Sequence, residues 1–445
     1  MGFMRRRDFL ASAALPLAAQ ASRPNVLFIA VDDLNTDVGC YGAPVQTPNI
    51  DRLAAQGVRF ERAYCQYPLC NPSRSSLLTG RRPPRTGIFE NSTWFRDRMP
   101  DVVTLPQHFR QHGYRTLCTG KIFHGDLDDD KAWDVGGTKL NRPAPRTPAQ
   151  TQEREKFADR WEALDREEDT ADHRNASRAI ELLNEKHDRP FFLALGFAKP
   201  HVPFLAPKKY FDLYPISRIA VPPDFSPLPR TDHPAYRPNF DIFIRRPAGY
   251  DEARQMIAGY RAATSFMDAQ LGRVLDALES SGRRRDTIVV FFGDHGFHLG
   301  EKGMWSKQTL FEVSTRVPLI ISVPGSRNAG KATRGTAELV DLYPTLAELC
   351  GLPAPAGIDG GSLKPLLDKP GAKWDAPAYT FLRRGAVMGA SVRTARFRYT
   401  EWEGAAAELY DEQADPRESR NIAADPRFAK VVAEHARLLA AARVS

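Results

Sequence analysis

Residues 25–33 read NVLFIAVDD, an apolar run that continues without interruption from Val26 and stops at two aspartates. Further apolar runs that end abruptly in polar residues cover residues 114–119, 191–197 and 287–292. Unbroken apolar runs are typical of strands that are covered on both faces, as in a mainly parallel sheet. The runs therefore predict buried strands whose carboxyl ends carry polar and charged residues.

Helical periodicity lies between these runs, at residues 47–56, 172–185 and 252–278. Strands that alternate with helices predict an α/β fold, in which helices sandwich a large, mixed, mainly parallel sheet. Ligands of such folds lie beyond the carboxyl ends of the strands. The predicted catalytic domain covers residues 22–370, and residues 371–445 are expected to form a C-terminal subdomain with a small antiparallel sheet and a helix at residues 425–442.

Residues 125–169 are polar, charged and proline-bearing. A stretch of this length between compact elements predicts a surface excursion. We expect a helix within it, around residues 151–164. It would either form one wall of a substrate pocket or be a solvated insertion.

Composition places the chain among globular proteins. Its 445 residues are 42% hydrophobic and 26% charged, which is enough to bury a large core. The net charge of +8 is spread along the chain without a basic block, so we expect no nucleic-acid partner. A diffuse positive field suits an anionic substrate, although solubility explains it equally well. The five scattered cysteines include no CxxC pair, which argues against a disulfide scaffold or a zinc site.

The N-terminus has the pattern of an export signal. Three arginines precede Phe9-Leu10, an apolar stretch runs to Leu17, and the small-residue site Ala19-Gln20-Ala21 follows. This order predicts a signal peptide over residues 1–21, and its Arg-Arg-x-Phe-Leu core resembles a twin-arginine signal. We therefore expect a periplasmic or secreted bacterial protein. No later stretch is apolar and long enough to span a membrane.

Two pairs of polar side chains follow predicted strands. Asp32 and Asp33 end the first run, and Asp294 with His295 follows the last. Adjacent carboxylates at one sheet edge repel unless a cation neutralises them, so the pairs predict a divalent metal. Helix capping would explain either pair alone. Oxygen ligands favour calcium or magnesium, while His295 also allows a softer metal.

Cys70 opens the stretch CNPSRSSLLTG at residues 70–80. Pro72 suits the first turn of a helix that we expect over residues 73–79. A helix N-terminus and the nearby Arg74 would both lower the pKa of the thiol, as at a reactive cysteine. The residues alone leave a packed thiol, a metal ligand and a nucleophile open.

The Cys-x-Pro-Ser-Arg order with Leu-Leu-Thr-Gly resembles the signature of type I sulfatases, in the alkaline phosphatase superfamily, whose cysteine is converted to Cα-formylglycine. The resemblance extends over nearly all of the mature chain, and its other motifs cover residues 31–34, 47–53, 120–124, 199–204, 293–296 and 305–307. Within the family the chain is most similar to the iduronate 2-sulfatase group, through the gap between Lys121 and His124, the Asp294-His295 pair and residues 392–400.

The resemblance implies a calcium ion held by Asp32, Asp33, Asp294, His295 and the oxygen of residue 70. It implies that a formylglycine-generating enzyme converts Cys70 to formylglycine during maturation. The hydrated formylglycine would then attack the sulfur of the substrate. The other implied roles are diol binding by Arg74, sulfate binding by Lys121 and Lys307, protonation of the leaving sugar oxygen by His201, and deprotonation of the second hydroxyl by His124.

The expected function is therefore calcium-dependent hydrolysis of a sulfate ester on a sugar or polysaccharide fragment. Two alternatives are a phosphonate or phosphate ester hydrolase of the same superfamily, and an inactive sugar-binding scaffold if Cys70 stays a thiol. We expect His298 and Lys302 at the rim of the site. Residues that would select the substrate if they reach the pocket are Phe297, Arg383, Arg384 and Arg393.

Overall fold

The computed structural model describes residues 23–139, 160–239, 241–244 and 246–444. The predicted signal peptide, residues 1–21, lies outside them. The strands are β1 (Asn25–Val31), β2 (Val58–Tyr64), β3 (Arg115–Gly120), β4 (Trp161–Leu164), β5 (Phe191–Phe197), β6 (Phe204–Pro207), β7 (Thr287–Gly293), β8 (His298–Leu299), β9 (Trp305–Ser306), β10 (Arg316–Val317), β11 (Leu319–Ser322), β12 (Ala332–Glu338), β13 (Ala378–Arg384), β14 (Val387–Arg393), β15 (Phe397–Trp402) and β16 (Glu408–Asp411).

The helices follow the predicted periodicity within one or two residues where it was strong. They are α1 (Pro48–Ala55), α2 (Cys70–Thr79), α3 (Pro83–Thr86), α4 (Phe95–Arg98), α5 (Leu105–Gln111), α6 (Ala171–Asn184), α7 (Lys208–Phe211), α8 (Tyr250–Ser280), α9 (Glu312–Thr315), α10 (Leu342–Leu349), α11 (Lys364–Asp368) and α12 (Ala429–Val444). None of the described helices is both long and apolar enough to cross a membrane.

The main sheet has the order β10-β2-β11-β7-β1-β5-β3, with β12 paired to β2. Its centre is parallel, since β1 pairs in parallel with both β5 and β7. The strand β11 pairs antiparallel with β7 and with β2, which makes the sheet mixed. The prediction of a large, mainly parallel sheet is confirmed.

Both faces of the sheet are buried. Val26 and Phe28 of β1 belong to the hydrophobic core on one face, whereas Leu27 and Ile29 belong to the core on the other. Residues from α1, α6 and α8 complete the second core, and residues from α2, α5 and α10 complete the first. This two-sided burial is the physical reason for the unbroken apolar run at the start of the chain.

Strand register brings the charged residues to one edge. Val31 lies opposite Phe197 on one side and Gly293 on the other. The residues that follow these three positions therefore lie next to one another, and they include Asp32, Asp294 and the loop after Phe197. Helix α2 begins at Cys70, three residues earlier than predicted.

One predicted helix is wrong in part. Residues 161–164 form β4, which pairs in parallel with β6 instead of continuing a helix. Of the rest of the predicted helix, residues 151–159 lie outside the described residues, and Arg160 is not part of a helix. The partner strand begins forty residues later in the chain, so no local pattern revealed the pairing.

The C-terminal part forms the predicted antiparallel sheet, in the order β13-β14-β15-β16, with α12 packed on it. A buried ion cluster attaches the sheet to the rest of the protein: Arg398 donates to Glu312, and Arg393 lies 3.2 Å from the same carboxylate. Burial opposes ionisation of Glu312, but the two guanidiniums outweigh it and lower its pKa to about 2. Arg393 is therefore paired with a carboxylate of the same chain. The boundary at residues 370–371 stays a prediction.

Tyr260 of α8 fixes the turn that follows β1. Its hydroxyl accepts a hydrogen bond from the Asn35 N–H and donates one to the Asp33 carbonyl, both at 2.9 Å. Asp33 has φ 62°, a left-handed conformation that a residue with a Cβ rarely adopts. The two bonds bracket this residue and hold the turn in its strained form.

Replacing Tyr260 by Phe leaves both backbone groups without their buried partner. We expect the free energy of unfolding to fall by about 1–3 kcal/mol. Chemical denaturation measures it, with Tyr250→Phe as the control, because Tyr250 is on the same helix and 55% exposed. Equal stability of the two variants would show that the hydroxyl does not hold the turn.

Candidate active site

The two predicted acidic pairs meet in one buried cluster. Asp32, Asp33, Asp294 and His295 are all at most 2% exposed. The Asp33 N–H donates to Asp294 Oδ1 at 3.1 Å, and His295 Nε2 lies 3.4 Å from Asp33 Oδ1. The carboxyl ends of β1 and β7 are thus joined directly.

Cys70 is the first residue of α2, and its side chain faces this cluster. The sulfur lies 3.3 Å from His295 Nε2, 3.7 Å from Lys307 Nζ and 4.0 Å from Asp33 Oδ1. Ser73, one turn later, donates to the Asp294 carbonyl at 2.5 Å and ties the helix to the end of β7. The helix N-terminus adds its own positive field at residue 70.

Three cations face the carboxylates: Arg74 and Lys307 are buried, and Lys121 is partly exposed. Arg74 Nε donates to Asp294 Oδ2 at 2.8 Å, and its Nη2 lies 3.5 Å from Asp32 Oδ1. Lys121 donates to Asp32 Oδ2 at 2.6 Å. Lys307 donates to Asp33 Oδ1 at 2.5 Å. Each carboxylate therefore has a cationic partner.

The pKa shifts follow from this pairing. Burial alone would raise the pKa of Asp32, but Lys121, His201 and Arg74 outweigh it and hold the pKa well below the usual range. Burial alone would lower the pKa of Lys307, but the carboxylate of Asp33 raises it well above the usual range. Both groups are therefore charged at neutral pH.

The expectation of an acidic thiol is wrong. Burial, followed by the charge of Asp32, raises the pKa of Cys70 above its ordinary value, against the opposing charges of Lys121 and Lys307. The sequence showed the helix N-terminus and Arg74, but it did not show that the thiol lies among carboxylates. An unmodified Cys70 is thus protonated at neutral pH.

Among the described residues, His201 contacts the cluster, whereas His124 does not. His201 Nδ1 lies 2.6 Å from the Val202 carbonyl, an acceptor that requires the proton on Nδ1, and Nε2 lies 3.8 Å from Asp33 Oδ2. Burial, with the charge of Lys121 next, lowers the pKa of His124 to about 3. Its buried Nδ1 has no hydrogen-bond partner among the described residues. All predicted site residues except His124 are linked by contacts of 4.0 Å or less.

The loop that carries His201 has buried supports that the sequence did not reveal. Asp172 accepts hydrogen bonds from the N–H groups of Ala198 and Lys199, both at 2.8 Å. Lys199 Nζ in turn donates to the carbonyls of His201 and Pro203. Lys199 lies in the sulfatase-like motif at residues 199–204, whereas Asp172 is an ordinary first-turn residue of α6 and gave no signal.

His298 and Lys302 are not rim residues as expected. His298 is fully buried, and its Nε2 lies 2.7 Å from Thr309 Oγ1. Lys302 donates to the carbonyls of Arg417 and Glu418. Both residues fix the loop between β8 and α9.

Two of the four expected substrate-selecting residues also have structural contacts. Phe297 is fully buried, and its ring centroid lies 5.9 Å from Lys307 Nζ. Arg384 donates to four carbonyls, which belong to Pro234, Ala235, Tyr236 and Gln308. Arg383 remains exposed, with its guanidinium 4.9 Å from the ring centroid of Phe89.

The cluster has the donor set of a metal site. One atom each from Asp32, Asp33, Cys70 and His295 lies within 4.8 Å of the others. Asp33 Oδ2 is buried and has no hydrogen-bond donor among the described residues. An unsatisfied buried carboxylate oxygen is costly in an apolar interior, so a cation at this point fits the residues present.

Comparison with known proteins gives the family. A family model for Sulfatase matches residues 24–352, and one for N-sulphoglucosamine sulphohydrolase, C-terminal, matches residues 300–445. A sulfatase of Formosa agariphila is 36% identical, over 92% of this chain and 85% of the relative. The iduronate 2-sulfatase of Mus musculus is 32% identical, over 92% of this chain and 93% of the relative.

Among solved structures, the phosphonate monoester hydrolase of Agrobacterium radiobacter has the same fold. Its TM-score is 0.78 at 25% identity, with 95% of this chain and 96% of that chain covered. The family model and the two sequence relatives extend over most of the chain. All the predicted site residues except His124 are in contact within the cluster around Cys70. This protein belongs to the sulfatase family and is a sulfuric ester hydrolase.

Proposed function

We propose that this sulfatase removes sulfate from a sulfated sugar or polysaccharide fragment, with residue 70 as formylglycine and calcium as the metal. The observation that carries the proposal is the position of Cys70, whose sulfur lies within 4.0 Å of His295, Lys307 and Asp33. A nucleophile, a cation site and buried positive charges converge there. This is the combination that transfer of an anionic group requires.

Members of the family generally use a formylglycine and a metal ion. Hydrated formylglycine would supply one hydroxyl as the nucleophile and a second through which the aldehyde is restored. Cys70 is 1% exposed in the first turn of a helix, so a formylglycine-generating enzyme would have to act before the chain folds. A twin-arginine signal transports folded proteins, which would place this conversion before export to the periplasm or the medium.

Asp32, Asp33, Asp294, His295 and residue 70 would hold the calcium ion, which would supply positive charge to the sulfate oxygens. Lys121 and Lys307 now donate to Asp32 and Asp33, and their ammonium groups would also bind the sulfate as point charges. Arg74, held by Asp294, would bind the hydroxyl of residue 70 from the helix side.

His201 would protonate the leaving oxygen of the sugar. The Val202 carbonyl keeps the proton on Nδ1, so Nε2 is the atom that gains and loses the catalytic proton. His124 would act as the base toward the second hydroxyl. Its buried Nδ1 has no donor or acceptor among the described residues, and its low pKa keeps it unprotonated.

The proposed substrate class is a saccharide with a sulfated uronic acid. Its support is the 32% identity with an iduronate 2-sulfatase over most of both chains. A second candidate is hydrolysis of phosphonate or phosphate esters, which the structural similarity to a phosphonate monoester hydrolase favours. The two candidates share the cluster and differ in the atom that is attacked, which is sulfur in one and phosphorus in the other.

Rates on matched aryl esters test the reaction. We expect faster hydrolysis of an aryl sulfate than of the phosphonate and phosphate with the same phenol, and no turnover by Cys70→Ala, because the nucleophile is lost. Cys350→Ala is the matched control, since Cys350 is also a buried thiol but lies in the core beside α10. A preference for phosphonate, or wild-type turnover by Cys70→Ala, would contradict the proposal.

Thermal unfolding tests the metal without any substrate. With calcium at about 100 times its Kd, binding to the folded state should add about 2.7 kcal/mol to stability relative to a chelator. The shift should vanish in Asp33→Asn and persist in Asp276→Asn, whose carboxylate is exposed on α8. Identical midpoints for the wild type in calcium and in chelator would rule out the calcium site.

The role of His201 is tested by changing the leaving group. His201→Gln should lower kcat about 10²–10⁴-fold on a sugar sulfate, whose alkoxide needs a proton. The loss should be much smaller on a nitrophenyl sulfate, whose phenolate leaves unprotonated. His112→Gln, at a half-buried histidine on the end of α5, serves as the control. Equal losses on both substrates would assign His201 a binding role instead.

A further inference from the structure

Two adjoining cavities lie along β2 and β12, at the edge of the main sheet opposite β3. Their volumes are about 400 and 610 Å³, and both are lined by Glu61 and Arg334. We call the combined depression the arginine groove. It is defined by Arg59, Arg62, Arg316, Arg334, Arg393 and Trp374.

The fold brings these arginines together from separate strands. Arg316 of β10 lies opposite Tyr64, near the carboxyl end of β2. On the other side of β2, β12 has an irregularity between Thr333 and Thr336, and Arg334 lies within it. Arg62 donates to the Arg334 carbonyl at 3.0 Å, which ties the two strands together at this point.

The positive charge of the groove is only partly neutralised. Arg59 pairs with Glu61 at 2.5 Å, and Arg393 lies 3.2 Å from Glu312. In the part of the chain that the structure describes, the guanidiniums that have no carboxylate within 4.0 Å include those of Arg62, Arg316 and Arg334.

Unused donors and mutual repulsion accompany this charge. The Nε atoms of Arg59 and Arg316 are buried and have no hydrogen-bond acceptor among the described residues. Burial and the charge of Arg393 lower the pKa of Arg62. Buried donors and crowded cations are both unfavourable unless an anion is present.

Protection of an edge strand is the simpler explanation for some of this charge. Exposed cations on an edge prevent pairing with other chains, and Arg334 on β12 suits that role. It does not explain why Arg62 and Arg316 are half-buried within a cavity. Nor does it explain the indole of Trp374, which lines the larger cavity and is fixed by a 2.8 Å bond from Nε1 to the Thr336 carbonyl.

We propose that the arginine groove binds a segment of a sulfated polysaccharide at a site separate from Cys70. Guanidinium groups match sulfate with two parallel hydrogen bonds, and an indole provides a flat apolar surface for the ring of a sugar. The choice of polysaccharide rests on the proposed function, whereas the anion-binding character rests on the groove itself.

The carboxylates within the groove favour this ligand over a nucleic acid. Glu61 and Glu312 lie among the arginines that line the smaller cavity. They would repel a continuous phosphate backbone, which places a charge on every residue of the strand. A sulfated sugar chain separates its anions by uncharged hydroxyl groups that can donate to these carboxylates.

Such a site would raise the local concentration of polymer near the catalytic cluster. The same two segments connect the groove and the cluster: β2 leads to Cys70, and α9 with β10 follows the loop of Lys307. A polymer long enough to reach from the groove to the catalytic cluster would be bound at both, as in other two-site binding.

Binding of dextran sulfate tests the proposal directly. We expect the double variant Arg62→Gln and Arg334→Gln to bind it about tenfold or more weakly, through the loss of charge-assisted hydrogen bonds. Arg218→Gln with Arg285→Gln is the control, because it removes the same charge at exposed positions outside the groove. Neutral dextran should bind to none of the proteins.

The same variants should separate polymer from small substrate. The groove variant should raise KM for a sulfated polysaccharide while leaving kcat and KM for an aryl sulfate unchanged. Thermal unfolding checks its fold, and the single variant Arg334→Glu at an exposed position repeats the test if the double variant is unstable.

Two outcomes would overturn the proposal. Unchanged binding of dextran sulfate by the groove variant would show that the arginines only protect the edge strand. Equal weakening in the control pair would show that binding depends on the net charge of the protein and not on the groove. Strong dextran sulfate binding that the groove variant loses, in a protein without sulfatase turnover, would instead refute the proposed function and support the groove.

Discussion

The guanidinium of Arg74 is the charge on which the catalytic edge of the sheet depends. It is 1% exposed, and it bonds Asp294 at the end of β7 while lying 3.5 Å from Asp32 at the end of β1. Without it, two carboxylates would be buried beside each other with less compensation, and breaking such a buried pair costs about 3–5 kcal/mol. Arg74 is also one turn from Cys70, so the same contact that permits the acidic cluster positions residue 70 within it.

Further buried contacts extend this arrangement to the C-terminal sheet. Arg384 of β13 donates to the Gln308 carbonyl, next to Lys307. Arg398 of β15 donates to Glu312, at the start of the helix that follows the same loop. The C-terminal sheet is therefore part of the structure that places Lys307 against Asp33, and it does not contribute only an outer wall.

Much of the fold could be predicted because burial leaves a direct mark on sequence. Residues 25–31 are apolar at every position after the first because β1 is covered on both faces. The aspartates follow at the edge of the sheet, where cationic side chains can pair with their carboxylates. The pairing of β4 with β6 and the groove between β2 and β12 join segments far apart in the chain. No local pattern specifies such pairs, so they appeared only in the structure.

The cluster was also predictable in its residues but not in its electrostatics. The signature at residues 70–80 identified Cys70 and Arg74, and the strand ends identified the acids. The pKa of Cys70 is raised by burial first and then by the charge of Asp32, and sequence shows neither the burial nor the distance. His298 was misjudged for a related reason: a polar residue in a loop is expected to be exposed, yet His298 is buried and its Nε2 contacts Thr309 within the core.

The most direct test of the central claim is the mass of the peptide that contains residue 70. Protein from a host that has a formylglycine-generating enzyme should yield this peptide, in its aldehyde form, about 18 Da lighter than the cysteine form, because one oxygen replaces the sulfur and two hydrogens of the cysteine side chain. Across preparations, sulfatase turnover should rise in proportion to the fraction of the peptide that is in the lighter form. Full turnover from protein whose residue 70 is entirely unmodified cysteine would contradict the account.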